Sequence, residues 1–387
     1  MENNRNVSIH SDPTLLADIR RYGKFDTTGC YQCGSCTISC ELVTDSVSFP
    51  RKMIRYALLG LRGPLVESLE PWVCHDCGDC SLICPRQAEP RISMMTLRRF
   101  LTAQYDSTGI SSKILASQAW HIGSLGLVSV LVLLLILLYH LFYVRLSLHD
   151  FATTSLGLEH MFPVMTYFTL TVILLPLFLM LARVFRIWRL TMRGERIPLS
   201  AYVADAGTYV WHSVTHTLMR KCPERGRWAG HWLLALGVVM ILAIKVFGLR
   251  WFQTDNLYPL YHPQRWLGYL ATVFILYGVG DILICHIRGQ KEICKTAGFE
   301  DVMFPILLLL TALSGISVHI LRYAGFELAC HFVYALHIVI ATPMLVVEMS
   351  FGKWSHMVYR PLALYFQAVK ERARQQAPAQ EVVPDAV

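Results

Sequence analysis

Six stretches of about 20 apolar residues constrain the fold of this chain more than any other feature. They cover residues 122–144, 162–184, 230–249, 266–287, 303–321 and 330–350. A stretch of this length crosses the ~30 Å hydrocarbon core of a bilayer, and it must be helical because a segment in lipid satisfies its own backbone hydrogen bonds. Only 16% of the residues are charged, against about a quarter in soluble domains. The sequence therefore predicts a membrane protein with six transmembrane helices.

Basic residues predict the orientation of these spans. Clusters of Arg and Lys follow the second, fourth and sixth spans, whereas the other loops carry about one basic residue each, namely Arg145, Arg250 and Arg322. By the positive-inside rule, both termini and the connection at 198–229 are expected to face the cytoplasm, in a cytoplasmic (inner) membrane. The N-terminus lacks the apolar core of a secretory signal peptide, which agrees with this expectation. The net charge of +8 is explained by topology and does not indicate a nucleic-acid partner.

Eight cysteines near the N-terminus form two copies of one motif, C-x2-C-x2-C-x3-C. The copies are Cys30, Cys33, Cys36, Cys40 and Cys74, Cys77, Cys80, Cys84. This spacing is typical of two-cluster ferredoxins, in which the fourth cysteine of each run binds the cluster of the other run. The predicted ligand sets for two [4Fe–4S] clusters are therefore Cys30, Cys33, Cys36 with Cys84, and Cys74, Cys77, Cys80 with Cys40.

Other uses of these cysteines fit less well. A zinc site needs four ligands from paired C-x2-C units, and a disulfide framework is rare in a reducing cytoplasm. Apolar residues at helical spacing between the runs predict a helical ferredoxin domain. The remaining cysteines have no ligand spacing and are interpreted as free buried thiols: Cys222, Cys285, Cys294 and Cys330. No two cysteines are adjacent, so the CCG sequence of a disulfide-splitting cluster is absent, and a relay of electrons is expected.

Histidines within apolar spans suggest a second cofactor, because ionisable residues in a membrane are costly and are often functional. His231 begins the third span and His356 follows the sixth, both at the predicted cytoplasmic side. Two imidazoles at matching depth on antiparallel helices would bind a b-type haem. His337 lies 19 residues before His356, or about 28 Å of helix, which leaves room for a second haem near the outer face.

Several residues remain as alternatives around these sites. His140 and His319 are both candidate partners of His337, and His121 is a rival of His231. Lys245 in the third span is a quinone or proton-pathway residue, an axial ligand, or a lysine that reaches the membrane surface. The intramembrane carboxylates Asp281 and Glu348 accept protons from a quinol or pair with Arg288 and Lys353.

Three segments carry a family resemblance: FPRKMIRYALLGL, PWVCHDCGDCSLICPRQAEP and FGKWSHMVYRPLALY. They resemble the C subunit of the quinone-interacting membrane-bound oxidoreductase, a fusion of the iron–sulfur and haem-b subunits of heterodisulfide reductase. The resemblance extends from about Asp12 to Gln367. The membrane half is also distantly similar to the haem-b (gamma) subunit of respiratory nitrate reductase, in which two histidines of the last helix each bind one haem. His337 and His356 match that arrangement, while Ile241 stands where that family has a second histidine in the third span.

The resemblance implies an all-α chain of three parts. These are a cytoplasmic helical ferredoxin domain (1–110), a six-helix transmembrane haem-b domain (111–361) and a partly disordered cytoplasmic tail (362–387). It implies two b haems, menaquinone as substrate, soluble flavin and iron–sulfur subunits as partners, and adenylylsulfate reductase of dissimilatory sulfur metabolism (sulfate respiration). One alternative is a membrane protein that reoxidises a flavoprotein dehydrogenase of tricarballylate type. Another is a membrane-anchored iron–sulfur scaffold without quinone chemistry.

Overall fold

The computed structural model describes residues 10–44, 47–144, 158–193, 197–221, 225–252, 256–289, 294 and 298–376. These residues are mostly helical, and within them the only β-pairing is an isolated bridge between Thr44 and Val47. The prediction of an all-α chain with an N-terminal iron–sulfur module and six apolar helices is confirmed. The chain divides into two compact units, and each contains residues from distant parts of the sequence.

The first unit contains the described residues within Met1–Ser107, Arg183–Arg225 and His356–Val387. Its helices are α1 (Leu15–Arg20), α2 (Ser35–Ile38), α3 (Arg51–Leu58), α4 (Arg62–Glu67), α5 (Glu70–Val73), α6 (Asp79–Leu82), α7 (Pro90–Tyr105), α11 (Leu199–Thr215) and α17 (His356–Gln376). Apolar side chains of α1, α3 and α7 form its core. Leu15, Met53, Leu97 and Phe100 are all fully buried there.

Helices α11 and α17 pair within this unit although they are far apart in sequence. Arg372 donates two hydrogen bonds of 2.8 Å to the carboxylate of Asp205, and the Tyr365 hydroxyl donates to the Tyr202 carbonyl at 2.9 Å. Residues 362–376, which the sequence assigned to a partly disordered tail, belong to α17. The remainder of that tail, 377–387, lies outside the described residues.

The second unit contains the described residues within Thr108–Ala182 and Gly226–Ser355. Its helices are α8 (Ile110–Ala116), α9 (Gln118–Tyr139), most of α10 (Leu158–Thr191), α12 (Arg225–Phe247), α13 (Leu249–Phe252), α14 (Pro263–Arg288), α15 (Phe299–Tyr323) and α16 (Glu327–Pro343). A π-helical turn at Met344–Met349 follows α16, at the proline that removes a backbone donor. Six helices of the described residues are long and apolar enough to cross a membrane: α9, α10, α12, α14, α15 and α16.

These six helices expose apolar side chains and pack through small residues. Leu127, Leu131 and Leu135 of α9 are about half exposed or more, as expected of a surface that faces lipid rather than water. Where α12 meets α14, a Cβ on Gly278 would lie 2.6 Å from Leu234 Cβ and 2.8 Å from the Gly230 carbonyl oxygen. Glycine therefore permits the close approach of the two backbones.

Candidate functional site

The two cysteine runs adopt the same backbone conformation. Gln32 and Asp76, the second residue after the first cysteine of each run, have φ of 55° and 58°. Gly34 and Gly78 then have φ of 90° and 100°, a left-handed conformation that glycine adopts without steric cost. A one-turn helix follows in each run and carries its third cysteine. Left-handed non-glycine residues often occur at ligand sites, so the repeated conformation fits a repeated binding loop.

A small cavity lies against the second run. Its lining includes four thiols, those of Cys40, Cys74, Cys77 and Cys80. Cys40 comes from the end of the first run, so the two runs meet at this cavity. Among the described residues, no three Cys, His, Asp or Glu side chains lie close enough to hold a single metal ion. The four thiols line the cavity, an arrangement that fits the predicted ligand set of a four-iron cube.

Electrostatic coupling shows the same proximity. Burial, together with the negative charges of Cys74 and Cys77, raises the pKa of the Cys40 thiol to about 11. Burial is also the largest cause of the raised pKa of Cys80, which the charges of Cys74, Cys77 and Cys40 increase. Thiols in this environment lose their protons only when a cation compensates, as happens when a metal binds.

The first run is more open than the second. Cys33 is exposed, and the thiols of Cys30, Cys36 and Cys84 are half-buried. Burial raises the pKa of Cys36, and the charges of Cys30 and Cys33 raise it further, so these three thiols lie near one another. Cys84 remains the predicted fourth ligand of this set.

Each run also supplies N–H groups to its sulfur atoms. The Gln32 side-chain amide donates to Cys30 Sγ, and the backbone amide of Asp76 donates to Cys74 Sγ, both at 3.4 Å. The backbone amide of Ala88 donates to Cys84 Sγ at the same distance. Hydrogen bonds to cluster sulfurs are one of the means by which proteins set cluster potentials.

His75 and Arg360 belong to the second-run site, and no sequence pattern distinguishes them. His75 lines the cavity and is 4% exposed. Its Nε2 lies 2.9 Å from Nη2 of Arg360, a residue of α17 that is 285 positions away. Desolvation lowers the pKa of Arg360 to about 10, and the nearby Cys74 acts in the opposite direction. Arg360 therefore stays charged at neutral pH beside a predicted cluster ligand.

An aromatic cluster holds α17 against this site. Tyr359 packs edge-on against Trp72 at 5.2 Å and against Tyr105 at 5.9 Å between ring centroids. Tyr359 is 1% exposed, and burial raises its pKa to about 12. Because Trp72 lies in the α5 turn just before Cys74, the cluster fixes the position of Arg360 relative to the second run.

The imidazole of His337 in α16 is held by a neighbouring helix. Its Nδ1 lies 3.0 Å from Ser314 Oγ of α15. The Ser314 hydroxyl donates at 2.7 Å to the Leu310 carbonyl, so its oxygen accepts from His337 Nδ1–H. This hydrogen bond favours the tautomer in which Nδ1 carries the proton and Nε2 is the acceptor nitrogen. A Cβ on Gly315 would lie 3.2 Å from the imidazole, so the small residue makes room for the ring.

The two proposed partners of His337 lie elsewhere along the bundle. Ser129 of α9 donates to the carbonyl of Val339 at 3.2 Å, and this register places His140 closer to the level of His331 than to that of His337. His319 is also near the level of His331. The residue before His319, Val318, has its carbonyl 3.4 Å from the thiol of Cys330, which is the residue before His331. His331 lies six residues before His337, or about 9 Å of helix. The expected match of depth to His337 is thus not found for either residue.

The side chains of these outer histidines differ in their contacts. His319 Nε2 contacts the Tyr269 hydroxyl at 2.7 Å. His140 Nδ1 lies 2.8 Å from the Ile136 carbonyl of its own helix, which leaves Nε2 as its acceptor nitrogen. His331, which was not among the residues expected from the sequence, is within electrostatic range of His140. Its position six residues from His337 was the sequence signal that could have identified it.

At the predicted inner side, His121 and Glu348 form a buried pair. His121 Nε2 lies 2.5 Å from Glu348 Oε1, and the side chains are 2% and 0% exposed. Glu348 therefore pairs with His121 and not with Lys353, which pairs with Asp301 instead. The reason is that α9 passes beside the π-helical turn that carries Glu348. His121 therefore uses Nε2 for its contact with Glu348.

The other predicted membrane residues occupy separate positions. Lys245 is half-buried in α12, and its charge acts on His337. Asp281 lies beside Gly230, since a Cβ on Gly230 would be 3.3 Å from the carboxylate of Asp281. His231 belongs to the second unit and His356 to the first, and their pairing remains a prediction.

Three of the remaining cysteines have defined positions. Cys285 and Cys294 form a disulfide, so the interpretation of these two residues as free thiols is wrong. Cys285 lies in α14, and Cys294 follows it by nine residues, beyond the end of that helix. Cys330 is a free, buried thiol, and Cys222 lies outside the described residues.

Comparison with known proteins covers the cysteine module. The profile of the 4Fe-4S dicluster domain matches residues 22–89. A protein of Archaeoglobus profundus that is described as like the C subunit of heterodisulfide reductase is 36% identical over 77 residues, which are 20% of this chain and 41% of the relative. The second iron–sulfur C subunit of the CoB–CoM heterodisulfide reductase of Methanocaldococcus jannaschii is 34% identical over 94 residues, or 24% of this chain and 50% of the relative.

A third relative is the C2 subunit of the H(2)/formate:CoB-CoM heterodisulfide,ferredoxin reductase of Methanococcus maripaludis. It is 41% identical over 75 residues, or 19% of this chain and 40% of that subunit. The chain thus spans half or less of the length of these relatives. No solved structure matches it. The chain therefore carries a 4Fe-4S dicluster domain homologous to the C subunit of heterodisulfide reductase, and six helices that can cross a membrane.

Proposed function

We propose that this chain is a membrane subunit that transfers electrons between menaquinone and soluble flavin and iron–sulfur subunits. The observation that carries the proposal is the cavity at which Cys40 joins Cys74, Cys77 and Cys80, in a chain with six membrane-compatible helices. A dicluster domain on such a chain links a soluble redox partner to the membrane. The chain is a fusion of an iron–sulfur and a haem-b subunit in this proposal, as its resemblance implies.

The cluster ligands in this proposal are the two crossed sets. Cys30, Cys33, Cys36 and Cys84 hold the first cluster, and Cys74, Cys77, Cys80 and Cys40 hold the second. When bound, such a cluster supplies one-electron transfer. The chain's own residues bind the clusters, donate N–H groups to the sulfur atoms and exclude water from the second one.

We propose that the chain binds b haem, with His337 as one axial ligand and with His231 and His356 as the inner pair of ligands. The bond from His337 Nδ1 to Ser314 supports the first assignment, and the position of the other two at predicted cytoplasmic span ends supports the second. Haem supplies one-electron transfer across the bilayer. No outer partner of His337 is proposed, because His140 and His319 lie nearer the level of His331 than that of His337.

Quinol oxidation releases protons as well as electrons, and one buried carboxylate is suited to receive them. Glu348 Oε2 is buried and makes no hydrogen bond to the described residues, so this carboxylate has a free oxygen beside His121. Lys245 is kept as a candidate quinone-site residue and not as a proton acceptor, because its positive charge acts on His337 and an ammonium group only donates. The same proposal includes an orientation in which both termini of the chain lie on the cytoplasmic side of the membrane. The soluble partner is proposed from the resemblance to be a heterodisulfide-reductase-type complex that serves adenylylsulfate reductase.

The test uses the full chain in native membranes or detergent. A menaquinol analogue should reduce its haem absorbance, and a quinone-site inhibitor should block that reduction. His231→Ala and His356→Ala should each remove one haem component and leave both iron–sulfur clusters assembled. His286→Ala is a matched control, because His286 already bonds its own helix at the Ile282 carbonyl. Haem that exchanges electrons only with a soluble donor, and never with quinol, would favour the scaffold alternative.

A further inference from the structure

The two cysteine runs differ at the residue that follows their first cysteine. In the first run this residue is Tyr31, which is 69% exposed. In the second run it is His75, which is 4% exposed and lines the cavity with the four thiols. The same backbone position therefore carries a solvent-exposed phenol in one run and a buried imidazole in the other.

The contact with Arg360 determines which nitrogen of His75 carries the proton. A guanidinium has N–H donors and no acceptor, and it stays protonated in proteins. Arg360 Nη2, 2.9 Å from His75 Nε2, must therefore donate to that nitrogen. The ring is then neutral and carries its proton on Nδ1. Arg360 acts here as a positioning residue, because it fixes the tautomer of His75.

The proton on Nδ1 has no acceptor within the part of the chain that the structure describes. His75 Nδ1 is buried and has no hydrogen-bond partner among the described residues. Buried N–H groups in native proteins nearly always have an acceptor, because an unsatisfied donor lowers stability. The cavity that His75 lines is the predicted site of the second cluster, whose sulfur atoms are acceptors.

We propose that His75 Nδ1–H donates a hydrogen bond to a sulfur of the second [4Fe–4S] cluster and thereby raises its reduction potential above the value without this bond. The inference rests on the proposed ligand set Cys40, Cys74, Cys77 and Cys80. A donor to sulfur stabilises the reduced cluster more than the oxidised one, because reduction adds negative charge. The step is the gain of one electron by the cluster, with no proton transferred and no bond broken.

The experiment is a redox titration of the full chain followed by electron paramagnetic resonance. The signal of the second cluster is identified as the one that Cys77→Ser removes. His75→Leu should lower the midpoint of that signal so that its reduced-to-oxidised ratio at a fixed potential falls about tenfold, or about 59 mV for one electron. The first cluster in the same sample should not shift. His75→Asn should lower this midpoint by less, because the amide N–H of Asn occupies a position similar to that of Nδ1.

Three further variants separate the hydrogen bond from other effects. Tyr31→Leu, the matched change in the first run, should shift neither midpoint. Arg360→Lys should preserve the midpoint of the second cluster, and Arg360→Met should lower it. An unchanged midpoint in His75→Leu, with both clusters present, would overturn the inference.

A measurement on the unaltered protein covers the case in which His75→Leu fails to assemble. With 15N-labelled histidine, pulsed electron paramagnetic resonance of the reduced second cluster should detect coupling to one imidazole nitrogen and one exchangeable proton. A second cluster without that coupling overturns the role of His75 alone. If Cys77→Ser removes no cluster signal, the ligand assignment fails and this inference fails with it, whereas the quinol assay bears only on the proposed function.

Discussion

Replacement of Cys40 by serine should remove the cluster of the other run. Cys40 follows Cys36 by four positions, yet it lines the cavity of Cys74, Cys77 and Cys80. Its pKa is raised by Cys74 and Cys77, which places its thiol within their electrostatic range. Because a serine hydroxyl is a poor ligand for iron, Cys40→Ser should leave one cube of two. Bound iron should fall from about eight atoms per chain to about four, and acid-labile sulfide should fall by the same half.

The assay combines iron and sulfide analysis with electron paramagnetic resonance of the reduced protein. Cys40→Ser and Cys80→Ser should lose the same signal, while Cys84→Ser and Cys36→Ser should lose the other. The magnetic interaction between the two reduced clusters should disappear in all four variants. Cys330→Ser is the matched control, because this buried thiol lies in the second unit. This variant should retain its full iron content. If Cys40→Ser lost the signal that Cys36→Ser loses, each run would bind its own cluster and the crossed assignment would be refuted.

Three other changes test the packing described above. Ser314→Ala should lower haem affinity about 10–100-fold, since it removes the acceptor that orients His337, and titration of the purified protein with haem would measure this. Glu348→Ala should lower the free energy of unfolding by about 1–3 kcal/mol, because it leaves His121 without a partner, whereas Glu348→Gln should retain most of it in thermal unfolding. The hydrogen bond from Arg372 depresses the pKa of Asp205. The contribution of this bond to the packing of α11 on α17 is therefore present above the unfolded pKa of Asp and is lost as pH falls through the lower folded pKa. Acid should then increase protease cleavage of α17 in the native chain. It should not do so in the Asp205→Asn variant.

The sequence predicted the features that depend on local pattern. Cysteine spacing predicted the set that lines the cavity, and the apolar runs predicted the six helices to within a few residues at most ends. The largest difference is in the second span, where α10 continues to Thr191 beyond the predicted end at 184. Arg186 and Arg189 end an apolar stretch, but they do not end a helix, because arginine is a good helix former.

Features that depend on distant contacts were not predictable from pattern. His75 is one of several polar residues between cysteines, and only its contact with Arg360 distinguishes it. The pairing of Glu348 with His121 likewise depends on which helices are neighbours. The depth of His140 was misjudged because distance from a span end does not give the register between two helices, which here follows from the bond between Ser129 and Val339.

The contact between His75 and Arg360 has a consequence for the biosynthesis of the protein. The two residues are 285 positions apart, and all six membrane-compatible helices lie between them in the sequence. At roughly 5–20 residues per second, a ribosome needs about 15–60 s to reach Arg360 after it has made His75. Throughout that interval the nascent cysteine module lacks Tyr359 against Trp72. The second run therefore gains its contacts with Tyr359 and Arg360 only after the last membrane-compatible helix has been translated.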